Sequence, residues 1–251
     1  MNGHIEFLEK LIGIPSVTSD ITAVNRAVAV VRERMSSHGV WCAAERMEDG
    51  RDALFASNNG IKTPDVLLCV HLDVVPADDP GQFMPRREGD LVFGRGSWDC
   101  KGHCTVACRL LSELKGNVSV GCIFSTDEET GRKSVASMLD RGYGARRLVI
   151  VLDCAPYALT TRHKGLELDE ENPVLVDFLG RMRAKWPERE VGFLHLKCYT
   201  DAVPLQRLGL PTLVFGAEGY ESHAAEEHVR ISSLDETFDL LADYLRERFA
   251  R

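Results

Sequence analysis

Seven residues of this chain could do hydrolytic chemistry together: His71, Asp73, Asp99, Glu128, Glu129, Asp153 and His223. Their frames are distinctive: Cys69-Val70-His71-Leu72-Asp73, Gly94-Arg95-Gly96-Ser97-Trp98-Asp99, Thr126-Asp127-Glu128-Glu129-Thr130-Gly131, Val151-Leu152-Asp153 and Ser222-His223. Imidazoles and carboxylates in company are what one or two divalent metals need in order to activate water. Each frame alone has an ordinary explanation. The ordered set is what points to hydrolysis.

His71 and Asp73 stand two apart at a strand end, so both side chains point to one face. A metal-bound histidine is oriented by a carboxylate on its other ring nitrogen, and Asp73 is placed for that role. Alone, the pair also reads as a strand-terminal His beside a turn-forming Asp. Asp99 has two oxygens and could bridge two metals. Glu128 and Glu129 follow Asp127, and three crowded carboxylates are costly to bury without cations. Adjacent side chains of an extended segment diverge, so one Glu can bind metal while the other reaches a water. A solvated acidic loop is the commoner meaning of such a run. Asp153 ends a strand as a terminal ligand or a turn residue. His223 is the chosen histidine of its segment, with His228 as the alternative.

Other chemistries fit less well. Gly94-Arg95-Gly96 before a helix suggests phosphate binding, but Lys101 precedes Gly102 and no Ser or Thr follows directly, which is the wrong order for a P-loop. Cys100, Cys104 and Cys108 recur every fourth residue around His103 without the Cys-x-x-Cys spacing of structural zinc, so they read as small residues on one helix face. Nothing marks a base for Cys100 as a nucleophile.

The elements that must position these residues alternate. Helices are expected over 4–13, 20–38, 101–115, Lys133–Arg141, Asn172–Trp186 and Leu234–Phe249. Strands are expected at Val40–Arg46, Ala53–Ser57, Asp65–His71, Val118–Ser125, Arg147–Asp153, Pro156–Thr161, Val191–Leu196 and Pro211–Phe215. Near-continuous apolar runs in the central strands predict an α/β fold, a mostly parallel central sheet with helices on both faces. Ligands bind at the carboxyl ends of strands in such folds, where His71, Glu128, Glu129 and Asp153 fall. The 251 residues suffice for one large domain, 1–251, with no repeat or linker. A net charge of −8 argues against nucleic acid and anionic membranes as partners. No apolar run approaches a membrane span, and no signal peptide is read at the start. Several of the eight Cys lie inside apolar runs and read as buried free thiols, so the expected location is cytoplasmic.

At this point the set resembles a known family, the dinuclear zinc amidohydrolases that include acetylornithine deacetylase, succinyl-diaminopimelate desuccinylase, aminoacylase and related carboxypeptidases. The likeness runs nearly end to end. It includes Ile14-Pro15-Ser16-Val17, His71–Pro76, Gly94–Gly102, Asp127–Gly131, Arg162–Gly165, Thr200-Asp201-Ala202, and His223 with Glu227 four residues on. The resemblance implies a zinc-exopeptidase-like domain and two zinc ions, with cobalt or manganese as replacements. It implies that His71, Asp99 and Asp153 hold one metal and that Asp99, Glu129 and His223 hold the other, with Asp99 bridging. Asp73 resembles the partner of His71, and Glu128 the general base. The family usually has Glu-Pro where this chain has Asp153-Cys154-Ala155-Pro156. Thr200-Asp201 is read as capping the helix that follows.

The family usually carries a lid and dimerisation domain inserted between the stretches matching Arg162–Gly165 and Asn172–Trp186. Here about half a dozen residues, near 165–172, separate the two. The usual dimer surface, carboxylate clamp and neighbour's oxyanion-stabilising His are therefore missing, which implies a monomer. Arg162, His163 and Lys164 are the residues expected to contribute in their place. Three functions follow: deacylation of an N-acyl amino acid or related small amide, cleavage of short peptides by a lidless aminopeptidase or dipeptidase, and a degenerate metal-binding module. Retention of Glu128 argues against the last, since a metal-binding relic needs no base.

Overall fold

The computed structural model describes residues 3–131 and 133–250. Helices α1 (Gly3–Ile12) and α2 (Ile21–Ser37) lead into strands β1 (Trp41–Arg46), β2 (Asp52–Ser57) and β3 (Val66–His71). Short strands β4 (Arg86–Glu88) and β5 (Leu91–Phe93) precede α3 (Gly102–Glu113), β6 (Val120–Ser125) and α4 (Lys133–Asp140). Then come β7 (Leu148–Pro156), β8 (Ala158–His163), β9 (Leu166–Glu167), α5 (Pro173–Lys185), β10 (Gly192–His195) and α6 (Ala202–Leu205). Strands β11 (Thr212–Gly216), β12 (Gly219–Tyr220) and β13 (His228–Arg230) precede the closing helix α7 (Ile231–Phe249).

The main sheet has the order β1-β2-β6-β3-β7-β11. Its inner pairs β6–β3, β3–β7 and β7–β11 are parallel, and β1 and β2 add antiparallel strands at one edge. Alternation within the strands builds two cores. Leu68, Val70, Phe124, Ile150, Leu152 and Phe215 face α1, α2, α3, α5 and α7. Leu67, Cys69, Ile123, Val149, Val151 and Val214 face α4 and α6. All six residues of β3 are buried, as a strand covered on both faces must be.

Local signals explain the helix starts. Asp20 accepts the Ala23 amide at 3.0 Å at the head of α2, and Asn172 accepts that of Val174 at 3.0 Å before Pro173 in α5. Asp201 is a correction: it stands before α6 but makes no side-chain cap there, and its carboxylate turns inward to Ser125. A four-stranded sheet, β12-β13-β5-β4, was not read from the sequence, because its strands are two or three residues long and β4 is the charged Arg-Arg-Glu. Helix α7 begins at Ile231, earlier than the expected Leu234. Residues 164–172 link β8 to α5 and contain only β9. All eight cysteines are free, with Cys100, Cys104 and Cys108 buried around α3. No described helix is long and apolar enough to cross a membrane.

Candidate metal centre

The carboxyl ends of β3, β6 and β7 converge, and two loops meet them there. His71 closes β3, Glu128 and Glu129 follow β6, and Asp153 lies near the end of β7. Asp99 arrives on the irregular turn Ser97–Lys101, where the Asp99–Cys100 peptide bond is cis, and His223 arrives on the loop after β12. Gly96 makes the first loop possible: its φ is +82°, and a Cβ there would meet Val74 at 2.6 Å. Gly216 does the same for β7, because a Cβ would collide with the Asp153 carbonyl.

Asp99 is the centre of the arrangement. Its Oδ1 lies 2.9 Å from His71 Nε2, and its Oδ2 lies 3.1 Å from His223 Nε2 and accepts the Ser222 hydroxyl at 2.8 Å. Glu129 Oε1 is 3.3 Å from His223 Nε2, without hydrogen-bond geometry. Three groups of donor atoms each fall within 4.8 Å: His71, Asp99 and Asp153; Asp99, Glu129 and His223; and His71, Glu128 and Glu129. The first two share Asp99, and the third admits Glu128 as either ligand or base. Thr200 donates to Asp153 Oδ2 at 3.2 Å and the Cys154 amide to Oδ1 at 2.7 Å.

Asp73 serves differently from the simple expectation. His71 Nδ1 lies 2.9 Å from the main-chain carbonyl of Asp73, and 3.7 Å from the carboxylate. The carboxylate accepts the Thr18 hydroxyl at 2.7 Å and the amides of Glu128 and Glu129 at 3.2 and 3.3 Å. Asp73 thus sets the histidine with its backbone and the acidic loop with its side chain.

The charges call for cations. The carboxyls of Asp99, Glu128, Glu129 and Asp153 line one cavity. The carboxylates of Asp99 and then Glu129 push His223 up to about 10. Burial opposes charge on His71, yet Cys100 and Asp99 raise it well above its ordinary value. Burial would raise Asp99, but hydrogen bonds from His223, His71 and Ser222 hold it well below the carboxylate range. Burial raises Glu129. Positive charge is thus favoured between these carboxylates, and the oxygen and nitrogen donors suit divalent ions of the zinc, cobalt or manganese type.

One buried pair braces this side. Glu227 accepts the amides of Gly96, Trp98 and Asp99 at 3.0, 3.1 and 3.0 Å, and Arg95 Nη1 at 2.9 Å. Arg95 also donates to the carbonyls of His223 and Ala224 at 3.1 and 3.2 Å. The pair ties the loop of Asp99 to the loop of His223. In the sequence Glu227 stands out only by its spacing from His223, and Arg95 only as part of a glycine loop.

Of the remaining candidates, His163 reaches the cavity, with Nδ1 3.3 Å from Cys198 Sγ. Arg162, the next residue on β8, faces the other way and pairs with Glu167 at 3.3 Å. Lys164 sits at the mouth, its ammonium 4.8 Å from the centroid of the Tyr199 ring. His228, the alternative to His223, stacks between Phe93 and Tyr220 outside the cluster. Lys101, which follows the glycine loop, is fully buried and donates to the Ile14 carbonyl at 2.8 Å.

The peptidase family M20/M25/M40 matches residues 67–247, well over half of the chain. Succinyl-diaminopimelate desuccinylase of Novosphingobium aromaticivorans is 24% identical over 243 residues, covering 94% of this chain and 55% of that protein. The Rickettsia bellii enzyme of the same name is 28% identical over 141 residues, covering 50% of this chain and 34% of its own length. The chain thus spans about a third to a half of these curated relatives. A metallo-carboxypeptidase from Sulfolobus solfataricus superposes with a TM-score of 0.80 at 11% identity, covering 98% of this chain and 99% of that one. An aminopeptidase from Bacillus cereus gives 0.79 at 12% identity, covering 97% of each. At such identities the structures speak for the fold alone, and the family match over most of its length shows that the chain belongs to peptidase family M20/M25/M40.

Proposed function

We propose that this chain is a metal-dependent amide hydrolase that removes the acyl group from an N-acyl amino acid or a related small amide. The observation that carries the reading is Asp99, whose two oxygens divide between His71 and His223 in a cavity that Glu128 also lines. In this reading His71, Asp99 and Asp153 hold one zinc, and Asp99, Glu129 and His223 hold the other. Bound there, the two ions would lower the pKa of a coordinated water and polarise the scissile carbonyl. Glu128 takes the proton of the attacking water and passes it to the leaving amine. The main chain of Asp73 fixes the tautomer of His71, while its carboxylate fixes the loop that presents Glu128. His163 faces the carbonyl oxygen from β8, and Lys164 waits at the mouth for a substrate carboxylate.

A second reading, a lidless aminopeptidase or dipeptidase acting on short peptides, is favoured by the open mouth, where the His223 side chain is 49% exposed. Residues 1–251 would form one catalytic domain in either case, with the short β8–β9 hairpin at the position of the family's insert, and a monomer is the expected state. The free thiols support a reducing, cytoplasmic setting.

Replacing Glu128 with Gln tests the reading. It should lower turnover about a hundred- to ten-thousand-fold while bound zinc, measured by elemental analysis, stays unchanged. Equal turnover in the variant would remove Glu128 as the base. Loss of one zinc would make it a ligand instead.

A further inference from the structure

The cavity beside the metal centre is about 200 Å³. A cavity of ~150 Å³ lined by Leu, Ile and Phe holds one benzene, so the space left after the ions and the reacting amide suits a group of a few carbons. Ala155, Leu196 and Val214, the Tyr199 ring and the thiols of Cys154 and Cys198 form its walls. The four carboxyls of the floor match the charge of two divalent ions and leave no positive charge over.

No Lys or Arg is among the described residues that line the cavity. The neighbouring cations stay outside this space: Arg162 is turned to Glu167, and the Lys164 ammonium lies on Tyr199 at the mouth. A carboxylate carried into this space would lose its water against alkyl and thiol groups beside other carboxylates, with no Lys or Arg to answer it. An alkyl group would lose only unfavourable contact with water.

Resting on the hydrolase reading, we infer that the cavity selects a small uncharged substrate group, a short aliphatic acyl chain or an Ala-, Val- or Leu-sized side chain, and rejects a dicarboxylic acyl group such as succinyl. Leu196, half-buried on the wall, is the residue whose change should invert the choice.

The experiment uses the full chain loaded with zinc. Two substrate series are compared: N-acetyl-, N-butyryl- and N-succinyl-leucine, and N-acetyl-leucine against N-acetyl-glutamate. The neutral members should exceed the anionic ones at least tenfold in kcat/KM in the series whose variable group enters the cavity. Leu196→Arg should move that ratio at least tenfold toward the anionic member. The same ligands are titrated calorimetrically into the zinc-loaded Glu128→Gln protein. Anionic members turned over as well as the neutral ones in both series would overturn the inference and leave the hydrolase reading standing. No turnover of any amide, with tighter binding of the neutral ligands, would do the reverse. Binding of neither class, or an unmoved ratio in Leu196→Arg, would also overturn the inference.

Discussion

On the Asp99–His223 side of the cavity, one buried carboxylate, that of Glu227, accepts three main-chain amides and a guanidinium. On the facing side, the wall of His163, Cys198 and Tyr199 is tied through main-chain bonds. Lys164 donates to the Cys198 carbonyl and Leu196 to that of Arg162, both at 2.8 Å, and Tyr199 is 42% exposed. On the first side the carboxylate and the guanidinium answer each other and the main-chain groups of both loops, so its geometry tolerates little change. The second is strand ends and solvent. Ligand atoms must converge within tenths of an ångström, whereas a wall that meets a substrate can adapt. In the proposed function the two sides would therefore divide the work between fixing the reaction and choosing what undergoes it.

The largest expected effect breaks the braced side at its centre. Asp99→Ala removes the carboxylate shared by both donor groups. It should abolish hydrolysis by more than about a thousandfold and release both zinc ions, as elemental analysis and a rate assay would record. Retention of one tightly held ion would mean that Asp99 does not bridge. Next, Glu227→Ala leaves the Arg95 guanidinium buried without its partner. The cost in urea unfolding should be about 3–5 kcal/mol, and a cost below ~1 kcal/mol would make the brace no stronger than a surface pair.

The facing wall should yield smaller numbers. His163→Ala should lower kcat about a hundredfold with stability and zinc content kept. Unchanged kcat would pass the carbonyl oxygen to another donor and remove His163 from the mechanism. Beneath this wall, burial holds Asp201 raised to about 7. Between about pH 4 and 7 the folded chain keeps this proton and the unfolded chain does not, so its contribution to stability falls as pH rises through that window. Asp201→Asn should flatten that part of the profile and stabilise the fold at pH 8 by about 2 kcal/mol, read from urea unfolding at both pH values.

Much of this was legible in the chain itself. The apolar runs of β3, β6 and β7 announced a covered sheet, and their ends put His71, Glu128 and Asp153 together. Arg162 and His163 could have been separated by strand alternation alone, since neighbours on β8 must face opposite ways. Other features had no local signature. Arg95 and Glu227 stand 132 residues apart, and only the fold pairs them. Asp201 reads as a helix cap because Asp before a helix usually is one; its contacts with Ser125 and Cys69 come from strands far away in sequence. Strands of two or three charged residues, such as β4, have no period to detect.

The seven residues of the centre are scattered from position 71 to position 223 over five strand ends and loops. No short stretch of the chain holds the whole set, so the unfolded polypeptide would have no comparable affinity for the ions. Any ion held here would stabilise the folded state by mass action, about 2.7 kcal/mol at a hundred times its dissociation constant. Zinc supply would then set how much of the protein stays folded as well as how fast it works. Chelation would first show as a lower melting temperature in molecules that had not yet met a substrate.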